Sequence, residues 1–175
     1  MDDIRYPVGK FVFDKDVTPE KRKACIRDVA ELPGKLRRAL EGLSSAQKET
    51  PYRDGGWTVL QVVHHLADSH MNAFIRFKLA LTENAPTIKA YNQDAWSQTA
   101  DVLKADAGLS LSLIEGMHGR WAVVLSAMAP ADFERTFMHP ERGPMSLDQT
   151  LQTYAWHCRH HVAHILSLRE RKGWG

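Results

Sequence analysis

Four histidines fall within ten residues in WHCRHHVAHI, at 156–165, and three more lie in VVHHLADSH, at 62–70. These two stretches hold seven of the nine histidines in the chain. Imidazole is a metal ligand and a proton carrier near neutral pH. Such clusters are either solvated polar faces or groups that meet in space and bind something. Helical spacing narrows the choice. Residues four apart share a helix face, with Cβ atoms about 5–6 Å apart. Two rings so placed can hold one ion, at about 2.0–2.1 Å for zinc. The downstream cluster offers two such pairs, His157/His161 and His160/His164. His161 falls in the apolar stripe of its segment, so the first pair faces inward and is preferred. His160 points toward the exterior, and His164 shares a flank with His157. A catalytic ion commonly takes three protein ligands and keeps a position for water. The third ligand is therefore expected from the upstream cluster.

The segments that must position these rings read as helices. The last is the clearest: Leu147, Leu151, Tyr154, Cys158, His161, Ile165 and Leu168 recur every three or four residues. Ser146 and Gln149 fit a capping box, and Arg169, Arg171, Lys172 and Gly173 suit a helix end. Upstream, Thr58 and Gln61 form a second capping box. Val59, Val63, Leu66, His70, Ala73, Phe77 and Leu81 follow as its stripe. That wheel puts His70 on the core side and leaves His64 and His65 off it. A first helix begins at Thr18-Pro19-Glu20, with Ile26, Val29, Leu32, Leu36 and Leu40 on one face. Pro33 interrupts it, which predicts a kink or break. Another helix covers LSLSLIEGMHGRWAVVLSAM. The first 17 residues read as an extended arm. Residues 83–106 read as a long connection with a short helix near Trp96, and the stretch containing HPERGP as another connection. Four amphipathic helices without a strand pattern give an all-α four-helix bundle, one domain over 1–175.

Composition excludes several classes. A net charge of +2 over 175 residues argues against nucleic acid or an anionic membrane as partner. No apolar run is long enough to span a bilayer, and MDDIRYPVGKF has no signal-peptide core. Two cysteines, Cys25 and Cys158, make no disulfide framework and are expected as reduced thiols in a cytoplasmic protein.

RYPVGKF, PYRDGGWTVLQVVHHLADSHMNAFIRFKLALTE and YAWHCRHHVAHI together resemble the YfiT-like branch of the DinB superfamily. This is a metal-dependent hydrolase group related to bacillithiol transferases. The resemblance runs from about Arg5 to Trp174 and implies a four-helix bundle, often a homodimer. It implies one divalent ion, zinc or nickel foremost, held by a histidine before the leucine of the HL motif and by an H-x3-H pair. Carried over by position, the metal ligands are His65, His157 and His161. The pair agrees with the spacing argument; His65 overrules the wheel's preference for His70.

Three functions follow from such a site. A hydrolase would use the ion to activate water for a small-molecule substrate. A thiol S-transferase would use it to activate a low-molecular-weight thiol. A non-catalytic stress-response module would close the fourth position with a protein ligand. No H-E-x-x-H motif fixes a base beside the metal, so the catalytic residue is left unassigned. Asp68 is a candidate base or a solvent-facing carboxylate. Arg76 and Lys78 could meet an anionic group, and Tyr91 and Trp96 could wall or lid a pocket. His118 reads as a surface or hydrogen-bonded residue, His139 as a loop residue, Cys158 as a small buried hydrophobe, and the tryptophans as packing groups.

Overall fold

The computed structural model describes residues 3–175; Met1 and Asp2, part of the expected arm, lie outside them. Four long helices form the bundle. Helix α1 spans Pro19–Leu40, and a short α2 spans Ser45–Lys48. Helix α3 spans Val59–Thr82. The connection after it contains α4, Gln93–Trp96, and α5, Ala100–Lys104. Helix α6 spans Ala107–Ala127 and α7 spans Leu147–Lys172. Helix α1 packs on α6 and α7, and α3 packs on the same two, so α1 and α3 stand across the bundle from each other. Leu32 and Leu36 from α1, Leu66 and Phe77 from α3, Trp121 from α6, and Leu151 from α7 meet in one apolar core.

Local signals set the helix starts. Thr58 accepts from the Gln61 amide at 3.1 Å while the Gln61 side chain accepts from the Thr58 amide at 3.0 Å. Ser146 and Gln149 repeat the exchange at 3.1 and 2.9 Å. Each box satisfies two amides that the helix itself leaves without partners. Gly173 ends α7 at φ 66°, the left-handed conformation that glycine adopts without steric cost.

Two expectations are corrected. Of the kink or break expected at Pro33, the break does not occur: helix α1 runs on through the proline. The stretch around HPERGP is not merely a connection. Strand β1, Thr136–His139, pairs antiparallel with β2, Gly143–Ser146. The fold is thus mostly helical with one short hairpin, and the hairpin feeds straight into α7, since Ser146 both closes β2 and caps the helix.

The N-terminal arm lies along α7 without helix or strand of its own. The Asp14 amide donates to Gln152 Oε1 at 3.0 Å, and Gln152 Nε2 donates back to the Asp14 carbonyl at 3.1 Å. Trp156 Nε1 donates to the Gly9 carbonyl at 3.0 Å. Arg22 of α1 makes a two-pronged ion pair with Asp148 of α7, at 2.9 and 3.2 Å. No helix among the described residues is long and apolar enough to cross a membrane.

Candidate metal centre

Helices α3 and α7 bring His65, His157 and His161 together. His65 Nε2 lies 3.2 Å from His157 Nε2, and His161 Nε2 lies 3.1 Å from the same atom. One nitrogen from each ring falls within 4.8 Å of the other two. Two nitrogens bound to one tetrahedral ion at 2.0–2.1 Å stand about 3.3 Å apart. The observed spacing is that of rings facing a common point, so the donor set fits a divalent ion of the zinc or nickel type. Three imidazoles bring no charge of their own, which leaves such an ion its full Lewis acidity.

Burial keeps these rings neutral, the form that can bind a cation. It holds His157 and His161 well below the ordinary imidazole range and takes His65 to about 4. Neighbouring histidines push in the same direction, because no ring tolerates a second positive charge beside it.

The remaining histidines divide by position. His70 is fully buried behind His157, with its Nε2 3.0 Å from His157 Nδ1. The wheel was right that His70 faces the core, but it stands behind the cluster. His118, on α6, is fully buried and hydrogen-bonded, not on the surface; its Nε2 is 3.0 Å from His70 Nδ1 and its Nδ1 is 2.6 Å from the Val29 carbonyl. A signal for it existed: Ile114, His118, Trp121 and Leu125 follow spacings of four, three and four. His164 places Nδ1 3.4 Å from His161 Nδ1 and Nε2 3.2 Å from the Arg5 carbonyl. His64 turns away, toward Ser110 Oγ at 2.7 Å and the Ala105 carbonyl at 3.3 Å. His160 does not face the exterior. It is buried under the arm, stacked on Trp156 with ring centres 4.2 Å apart and near Tyr6 at 6.0 Å.

The cluster opens on two cavities. One, of about 380 Å³, is lined by His65, His157 and His161 together with Trp57, Arg53 and Asp94. Among the described residues Asp94 is the sole carboxylate in that lining, and nothing in the sequence around it marks it out. The other, of about 560 Å³, touches His157 and runs past Tyr91, Tyr154, Arg76, His139 and Arg142. The connection after α3 thus supplies cavity wall, through Tyr91 and Gln93, whereas Trp96 packs on Tyr91 at 4.5 Å and lines neither space. Trp57, expected only to pack, leans over His65 with ring centres 4.5 Å apart. Asp68 lines neither cavity; burial, then Asp101, raises its carboxyl to about 6. Lys78 sits near the Phe74 ring, and Cys158 is a buried thiol pushed upward by burial.

A model of the DinB superfamily matches residues 29–165. A protein of Bacillus mycoides (strain KBAB4) whose name proposes a metal-dependent hydrolase is 49% identical over 174 residues, covering 99% of this chain and 100% of that protein. A Bacillus cereus (strain 03BB102) protein with a name of the same kind is 48% identical, with the same coverage. Among solved structures, YfiT from Bacillus subtilis matches with a TM-score of 0.95 and 45% identity, covering 98% of this chain and 99% of that one. Its description proposes a metal-dependent hydrolase with an unusual four-helix bundle topology. TT2238, a four-helix bundle protein, matches with a TM-score of 0.55 at 16% identity, over 83% of this chain and 98% of that one, a likeness of fold alone.

Proposed function

The chain belongs to the DinB superfamily, and from that premise we propose that it is a metal-dependent hydrolase whose His65, His157 and His161 hold one divalent ion, zinc or nickel. The observation that carries this reading is the convergence of three neutral imidazole nitrogens, 3.1–3.2 Å apart in successive pairs, on the wall of a cavity. A bound divalent ion supplies Lewis-acid polarisation of a carbonyl and an acidified water near neutral pH.

The chain's own residues do the rest. Fully buried His70 and the core faces of α3 and α7 keep bulk water from the back of the cluster. Asp94 is the candidate proton acceptor, as the carboxylate that the described residues place in the cluster's cavity. Arg76 and Arg142 outnumber the one carboxylate, Glu141, that the described residues place in the larger cavity beside His157, and they favour a substrate with an anionic group. A second reading, transfer of a low-molecular-weight thiol, is favoured by one observation: among the described residues the cluster itself contains no carboxylate, and a metal-activated thiol needs no protein base there.

The test is a panel of esters and amides, with and without a carboxylate group, assayed on metal-loaded and metal-stripped protein, with and without added thiol. Hydrolysis that needs metal and not thiol is expected, preferring the anionic members. Asp94→Asn should lower kcat by about 10²–10⁴ while metal content stays at one ion per chain. Turnover indifferent to metal removal would defeat the proposal, and turnover strictly dependent on thiol would replace it with the transferase.

A further inference from the structure

The histidines around the cluster form two chains of ring-to-ring contacts, one behind it and one on the side of the arm, and each chain starts at a backbone carbonyl. A carbonyl only accepts. His118 Nδ1, 2.6 Å from the Val29 carbonyl, must therefore carry the proton. A neutral imidazole has one N–H, so His118 Nε2 is a bare acceptor and takes a hydrogen bond from His70 Nδ1 at 3.0 Å. By the same count His70 Nε2 is bare and accepts from His157 Nδ1 at 3.0 Å. The N–H of His157 is then used, and its Nε2 presents a lone pair to the cluster. The second chain runs the same way: His164 Nε2 donates to the Arg5 carbonyl at 3.2 Å, and its bare Nδ1 faces His161 Nδ1 at a longer 3.4 Å. His161 Nε2 is again left with a lone pair.

The Val29 carbonyl is free to anchor the first chain because of Pro33. In α1 that carbonyl would ordinarily accept from the amide four residues on, and Pro33 has none. The helix gives up one internal bond, and His118 takes the vacated acceptor. We propose that Pro33, His118 and His70 are positioning residues that fix His157 as the Nδ1–H tautomer, and that His164 with the Arg5 carbonyl does the same for His161. The chains turn each ring so that its free nitrogen faces the ion position, and their hydrogen bonds make that nitrogen more basic. This rests on the three-histidine centre but not on hydrolysis, and its first readout is made without metal.

Long-range ¹H–¹⁵N correlation spectra of the full chain, stripped of metal, distinguish the two ring nitrogens. His157 should be protonated on Nδ1 in the wild type. His118→Gln keeps the polarity of the chain, since an amide can donate to Val29 and accept from His70; it should keep that tautomer and bind zinc within about threefold of wild type. His118→Phe breaks the chain. It should show a mixed His157 tautomer and lose about 10–100-fold in zinc affinity. Pro33→Ala returns an amide that competes for the Val29 carbonyl. Zinc affinity should fall several-fold without loss of thermal stability, a pair of changes that a purely structural proline would not give. His157 protonated on Nε2 in the wild-type spectrum would overturn the proposal, even where His118→Phe does not fold. Wild-type zinc affinity in both His118→Phe and Pro33→Ala would overturn it as well.

Discussion

His157 and His161 were legible in the sequence because four-residue spacing on a heptad helix admits few alternatives. His65 was not legible from periodicity. A helical wheel assigns each residue one face, whereas α3 is buried on several sides: His64, His65 and His70 all lie inside while pointing to different partners. Only the motif selected His65. His160 was misread for a related reason, since its covering element is the arm, which has no periodicity to announce it. The buried neutral rings have a consequence for stability. Burial holds His118 at about 4, against 6.5 for an ordinary imidazole. Between those values the unfolded chain binds more protons than the folded one, so stability falls as pH drops from 7 and stops falling near 4 on account of this group. At pH 5 His118 alone should cost about 2 kcal/mol. Urea unfolding of the metal-free wild type and of His118→Gln, each at pH 7 and pH 5, isolates this contribution; the same pH-dependent shift in both proteins would show that His118 is not buried neutral. His160→Ala, by contrast, should leave bound metal in place while loosening the arm.

At the level of elements, the four helices and their capping boxes follow from residues that act locally, and Ser146 with Gln149 marks the start of α7 to the residue. The hairpin does not. Strands of four residues carry no usable alternation, and Pro144 within β2 reads as a turn signal rather than a strand residue. Pro33 misled in the opposite sense. A proline predicts a kink or break from the helix's own bonds, but the packing of α1 on α6 and α7 keeps the helix continuous, and His118 satisfies the carbonyl that the proline leaves open. The arm is held by specific bonds rather than by regular structure, and this gives a direct test. Gln152→Ala removes both bonds to Asp14. It should cost about 1–3 kcal/mol and speed proteolytic cleavage within residues 3–18. Cleavage no faster than wild type would mean that the arm is anchored elsewhere.

For the whole molecule, the bundle brings α3 and α7 face to face with α6 behind them, so that the cluster takes one ring from α3 and two from α7, with His118 of α6 in the chain of rings behind. The arm closes the same site from outside through Arg5, so the chain contributes to the centre from nearly one end to the other. Kinship also leads us to propose that the protein is a homodimer. Sedimentation should give a mass of about 40 kDa, twice the 19.8 kDa chain; a single species of one chain's mass at micromolar concentration would reject that. The central claim is the metal centre, and zinc binding to the full chain, followed by calorimetry and metal analysis, tests it most directly. The account predicts one ion per chain in the wild type and in His160→Ala, and close to none in His65→Ala, His157→Ala or His161→Ala, with each variant still folded. Equal binding by His160→Ala and His161→Ala, or full occupancy in any one of the three ligand variants, would contradict it.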